Sequence, residues 1–291
     1  MKTIAICWFV LGSLLVYSQN NKSNEIRLIV QADDIGFCHA VNNACIDSYK
    51  NGICRSVEII VPSPWFMEAV SMLKENPGFD VGIHLCLTSE WSGLKWRPLT
   101  DGKSIRNPDG YFCPFIWPND NFPKNAGNFL LENNPKIEEV EKEFRAQIEL
   151  AKKYIPRLSH ITGHMGCTNA TPEIKTLTEK LAKEYGLFFG KMDTKYSDVP
   201  WSGQDKSPEQ KEELFIKFLE STQIGNTYYV IEHPGYDTDE MKNIGHNGYD
   251  KVGYDRGGVT FVYTSAKVKE VIKRKNIRLL SVKEANELEK K

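Results

Sequence analysis

Four places in the chain carry side chains able to move protons or hold a metal ion: Asp33-Asp34, His84, His164 and Glu232-His233. Each lies at or just past the end of a short apolar run. One aspartate and two histidines offer an oxygen and two nitrogens. That donor set suits a borderline divalent ion, and three protein ligands leave a position for water. An ion held in this way lowers the pKa of its water and polarises a carbonyl oxygen. The second aspartate of the pair is then free to take the proton of that water. Neighbouring residues of a regular strand point to opposite faces. Both aspartates can therefore serve one site only where the strand ends or bends, and Gly36 makes a bend available. Each group also has a plainer use: the aspartates as a helix cap or turn, His84 as a hydrogen-bonded core histidine, His160 and His164 as strand histidines with structural partners. His39 reads as the opening of a helix, and His246, in a Gly- and Asn-rich loop, as solvated. The case for a site is that the same coincidence recurs at four strand ends.

Residues so far apart must be gathered by the elements that carry them. Apolar runs predict strands at 26–30, 55–61, 80–87, 159–164, 187–190, 227–232 and 277–280. Helical spacing predicts helices at 39–51, 65–75, 135–154, 172–185, 207–221, 265–275 and 281–291. Pro172 sits early in its helix and Gly186 stops it. Regular alternation of strand and helix calls for parallel strands with crossover helices. In such folds the loops at the carboxyl ends of the strands build the active site. The expected fold is α/β: one closed or nearly closed (β/α) barrel with outer helices, spanning residues 26–291. Residues 88–134 break the pattern with many Pro, Gly, Asn and Trp, and are read as a long insertion acting as a lid or binding loop. Residues 236–258 read as polar loop, followed by an apolar patch at 259–263.

Composition narrows the function. The 291 residues carry 37 Lys plus Arg against 38 Asp plus Glu, so no basic excess exists to neutralise phosphates, and nucleic acid is not an expected partner. With 41% hydrophobic and 26% charged residues the chain is neither disordered nor collagen-like. Met1-Lys2 and the apolar run at 4–16 read as a signal peptide over 1–18, with Gln19 the first mature residue and 19–25 a polar linker. The run is short for a membrane span. The expected location is therefore periplasmic or extracellular, with no stable membrane span after cleavage. A homo-oligomer is left open. Six cysteines follow the leader, Cys38, Cys45, Cys54, Cys86, Cys113 and Cys167, without a CxxC pair, which argues against a zinc knuckle or thioredoxin-type site. Cys45, Cys54 and Cys86 lie in apolar patterns and read as buried free thiols.

The stretch Gln31-Ala32-Asp33-Asp34-Ile35-Gly36 resembles the opening motif of the YdjC-like carbohydrate deacetylases, the ChbG/HpnK group. Val81-Gly82-Ile83-His84-Leu85 is similar to that family's Gly-x-His-Leu strand, residues 159–166 to its third motif, and Glu232-His233-Pro234-Gly235 to its late His-Pro-Gly motif. The resemblance runs from about residue 26 to 280 in the family's order. It implies a barrel related to the NodB-like deacetylases, one divalent metal ion (zinc or magnesium), and removal of acetyl from an N-acetylated sugar such as a chitooligosaccharide. By position it implies Asp34, His84 and His164 as metal ligands, Asp33 as general base, and His233 as general acid or transition-state stabiliser. The chain departs from the pattern in two motifs. Thr162 and Met165-Gly166 stand where family members often carry an acidic residue and a second histidine, and Arg256 lacks a glutamate three residues on, Val259 standing there.

The reading that combines both lines is an exported, metal-dependent deacetylase of N-acetylated sugars. Trp91, Trp96 and Trp117, in the irregular segment, are candidate platforms for flat sugar faces, with burial in a small satellite core as their plainer use. Arg256 is a candidate sugar contact. A metal hydrolase of another ester, a formyl amide or a phosphoester on the same scaffold is the first alternative, and a non-catalytic carbohydrate-binding protein the second.

Overall fold

The computed structural model describes residues 24–290; the expected leader and residues 19–23 of the linker lie outside them. The central strand is β1 (Ile26–Ile35), longer than its apolar run suggests because it continues through both aspartates. Leu28, Val30 and Ala32 pack into the main core, whereas Ile29 packs on the opposite face with Met192, Tyr229, Leu280, Val282 and Ala285. Burial on both faces is what a strand inside a helix-covered parallel sheet requires.

Around β1 the chain lays down α1 (His39–Lys50), β2 (Ser56–Ile59), α2 (Phe66–Glu75), β3 (Asp80–Leu85), α3 (Ile137–Tyr154), β4 (His160–Gly163), α4 (Pro172–Tyr185), β5 (Lys195–Tyr196), α5 (Pro208–Ser221) and β6 (Thr227–Glu232). It ends with α6 (Asp239–Lys242), α7 (Val252–Thr264), α8 (Ala266–Arg274), β7 (Ile277–Leu280) and α9 (Val282–Glu289). Pairing runs β4-β3-β2-β1-β6-β5, and every pair is parallel. β7 joins β1 at Ile26–Ile29, while β2 pairs with β1 from Gln31 onward. With β6 along the opposite edge, β7 and β2 share one edge of β1. Among the described residues no pairing joins β4 to β5, so the sheet curls into a half-barrel rather than closing.

Three local expectations are corrected. Residues 187–190 form no strand; Phe188 makes a single bridge to His160, and the next strand, β5, comes at Lys195. The polar stretch before residue 259 is helical from Val252, so the apolar patch is the second half of α7, buried except at Phe261. Residues 88–134 are not structureless. They bury Trp91, Trp96, Ile105, Phe112, Phe115, Ile116, Phe129 and Leu130, and bridges Thr88 to Cys113 and Phe115 to Phe129 tie the segment together. The predicted helix stop is present: Gly186 takes φ 68° at the end of α4, a conformation that costs glycine little. All six described cysteines are buried free thiols.

Candidate active site

The chemistry gathers at the carboxyl ends of the strands. β1 delivers two adjacent carboxylates to one place by breaking its own alternation. Asp34 adopts φ 74°, and the register with β2 shifts between Ala32 and Ile35. A non-glycine residue in the left-handed region is uncommon and is a recognised signature of functional sites, aspartate being among the residues that tolerate it. Gly36 follows at φ 104°, with the Ser63 hydroxyl 2.9 Å from where a Cβ would stand.

Asp34, His84 and His164 are buried, and one ligand atom from each lies within 4.8 Å of the others. Asp34 Oδ1 is 3.2 Å from His164 Nδ1 and 3.6 Å from His84 Nε2. Four ligands arranged tetrahedrally at about 2.1 Å from an ion would stand about 3.4 Å apart. Asp34 Oδ1 is buried without a well-aligned hydrogen bond, facing only the ring nitrogens of His84 and His164, an arrangement that a cation would complete. The donor set and its spacing fit a divalent ion.

The electrostatics keep these groups apart in role. Burial alone would raise the pKa of Asp34, but Arg256 and His164 outweigh it and hold the carboxyl well below the usual range. Arg256 Nη2 donates to Asp34 Oδ2 at 2.7 Å. Burial lowers His84 to about 4, so the ring is neutral, as a ligand must be. Burial opposes charge on His164 too, yet Glu90 and Asp34 push its pKa up to about 10. Its Nε2 meets Glu90 Oε2 at 2.9 Å, leaving Nδ1 to face Asp34. Asp33 is raised above its ordinary value by burial, against the pull of His84 and His233. Gln31 Nε2 donates to Asp33 Oδ1 at 2.6 Å, and the Tyr229 hydroxyl donates to Gln31 Oε1. His233 Nε2 lies 3.9 Å from Asp34 Oδ2, with its ring 40% exposed. Desolvation opposes charge on that ring, and Asp34 outweighs it, raising the pKa.

The structure thus brings Asp33, Asp34, His84, His164, His233 and Arg256 together. Arg256 is buried, with its guanidinium over Phe37 and Trp91, and spends a hydrogen bond on Asp34 rather than standing open as a sugar contact. Trp91 and Trp96 are also buried and leave no open face for a sugar; they belong to the main core rather than to a satellite one. Trp117, 46% exposed, packs over Gly166 beside the third ligand. His246 is not simply solvated, since it stacks on Trp91 and meets Phe115 edge-on. Glu90, Glu58 and Gln31 were not legible as site residues. An acidic residue six positions past His84 is unremarkable in sequence, Glu58 sits inside an apolar run, and Gln31 lies directly after one.

The family model described as YdjC-like protein matches residues 27–274. The chain belongs to that family. It is similar to carbohydrate deacetylase 2 of Listeria innocua serovar 6a, 28% identical over 226 residues covering 75% of this chain and 84% of the relative. Carbohydrate deacetylase 1 of the same organism is 30% identical over 233 residues, covering 75% and 85%. Among solved structures, a putative cellobiose-phosphate cleavage protein from Enterococcus faecalis V583 superposes with a TM-score of 0.66 at 22% identity, covering 89% of this chain and 98% of the other. That likeness concerns the fold.

Proposed function

We propose that this YdjC-like protein is a metal-dependent hydrolase that removes acetyl groups from N-acetylated sugars, chitooligosaccharides or other polysaccharide fragments. The observation that carries the reading is the buried Asp34–His84–His164 cluster, with a carboxylate oxygen that lacks a well-aligned hydrogen bond at its centre and Asp33 and His233 on its flanks. The names of the Listeria relatives support the sugar substrate. Two imidazoles in the donor set favour zinc over magnesium.

A divalent ion held by Asp34, His84 and His164 would supply Lewis-acid chemistry, activating water and stabilising charge on the acetyl oxygen. Asp33, buried and oriented by Gln31, takes a proton from the attacking water as the new C–O bond forms. His233 reaches the site on a half-open ring. Asp34 beside it favours the protonated ring, which gives its proton to the sugar nitrogen as the C–N bond breaks. The products are acetate and the free amino sugar. Trp117 offers an exposed ring for a sugar face at the rim.

The test is acetate release from a panel of chitooligosaccharides, with zinc content measured before and after chelation. Release that needs both the ion and Asp33 is expected. Hydrolysis of aryl acetates alone, with no amide activity, would move the protein to the esterases. The reading includes export, supported by the apolar run at 4–16. Amino-terminal sequencing of the mature protein should begin at Gln19.

A further inference from the structure

Beneath the metal ligands a line of buried polar side chains crosses the half-barrel interior from β2 to β4. Glu58, Gly82 and His160 are in register on β2, β3 and β4, and His84 pairs with Thr162 one step nearer the site. Gly82 is what lets its neighbours meet. A Cβ there would lie 2.2 Å from Glu58 Oε2 and 2.5 Å from His160 Nε2. Across that gap Glu58 Oε1 and His160 Nε2 stand 2.6 Å apart. Thr162 Oγ1 donates to Glu58 Oε2 at 2.7 Å, and the same oxygen is 2.7 Å from His84 Nδ1. Glu58 and His160 are almost wholly buried, so no solvent competes for these bonds.

The directions of these bonds follow from counting protons. A threonine hydroxyl has one hydrogen. Given to Glu58, it leaves Thr162 able only to accept from His84, so Nδ1 of that ring must carry a proton. Nε2 is then the nitrogen left for a cation, and it is the one turned toward Asp34 and Asp33. We infer that Glu58, acting through the Thr162 hydroxyl, is a positioning residue that locks His84 in the tautomer and orientation needed to ligate a cation. A threonine and a carboxylate one strand away thereby do for His84 what Glu90 does directly for His164. The inference rests on the metal reading above for its purpose, though not for the tautomer itself.

Thr162→Val removes the hydroxyl at nearly constant shape, Thr162→Ser keeps it, and Glu58→Gln weakens the acceptor behind it. Zinc affinity is read by competition with a chromogenic chelator, and the His84 tautomer by two-bond nitrogen–carbon-proton NMR on the metal-free protein. Wild type should show Nδ1–H. Thr162→Val should lose about 10–100-fold in zinc affinity with a mixed tautomer. Thr162→Ser should stay close to wild type, and Glu58→Gln should fall between. An Nε2–H ring in the wild type overturns the inference even if no variant folds. So does a Thr162→Val protein with wild-type affinity, or a Thr162→Ser protein as weak as Thr162→Val. A wild type that binds no zinc yet shows Nδ1–H would sink the metal reading and leave the tautomer lock standing.

Discussion

His164 is the residue whose state changes most when the site is filled. In the ion-free protein, Glu90 and Asp34 hold its pKa at about 10 against burial, so at neutral pH the ring is a cation between two carboxylates. A metal ligand must be neutral. Zinc uptake should therefore expel about one proton per site, and apparent affinity should rise about tenfold per pH unit between pH 6 and 8. Calorimetry in buffers of different ionisation enthalpy would count that proton, and a pH-independent affinity would show that His164 is not a ligand. Asp33 should behave differently. Asp33→Asn should retain zinc while losing activity by at least about 100-fold, the usual contribution of a positioned base, because the cation-binding cluster is Asp34, His84 and His164 without it; zinc lost together with activity would make it a ligand. At this scale the sequence was informative for groups that stand alone at strand ends. It was silent on Glu90, Gln31 and Glu58, whose meaning comes from partners 74, 198 and 104 positions away.

Elements decide whether those groups meet. Alternating runs made most strands and helices legible, including the capped ends of α4, because burial and capping leave periodic and punctuating residues behind. α7 was missed because its first half carries Asp255, Arg256 and Gly257-Gly258 on what reads as loop, although Arg256 is there to reach Asp34. The bulge in β1 was foreseeable only as a possibility next to Gly36, whereas its actual device is the left-handed Asp34. The interior of the half-barrel imposes its own rule at β3. Gly82→Ala has no room between Glu58 and His160 and should cost both stability and zinc affinity, read by thermal unfolding and chelator competition. A fully tolerated alanine would mean that the two side chains can part freely. In the inserted segment the tryptophans should separate cleanly. Trp91→Ala should cost about 3–5 kcal/mol of stability as a core truncation. Trp117→Ala should stay within about 0.5 kcal/mol while raising KM for an oligosaccharide. Equal stability losses in denaturant would refute that division.

Over the whole molecule, the strand–helix alternation carried the architecture, but not whether the sheet closes. Closure depends on which edges pair, and edge strands such as β5, with two residues, leave almost no pattern to read. An ion that ties β1, β3 and the turn after β4 together should make overall stability depend on metal supply. Free zinc at about 100 times its dissociation constant should add about 2.7 kcal/mol, a rise in melting temperature of about 5 °C. Chelation should remove it, and an unchanged melting point would argue that the cluster binds nothing. The shared edge of β1 has a temporal consequence as well. β1 needs residues 227–232 on one side and 277–280 on the other, so its ladder stays incomplete until residues 277–280 have emerged from the ribosome. Partners so remote in sequence slow the search for them. A nascent chain halted before residue 277 would leave Ile26–Ile29 of its principal strand open along one edge, and should be more readily captured by chaperones and proteases than the full-length protein.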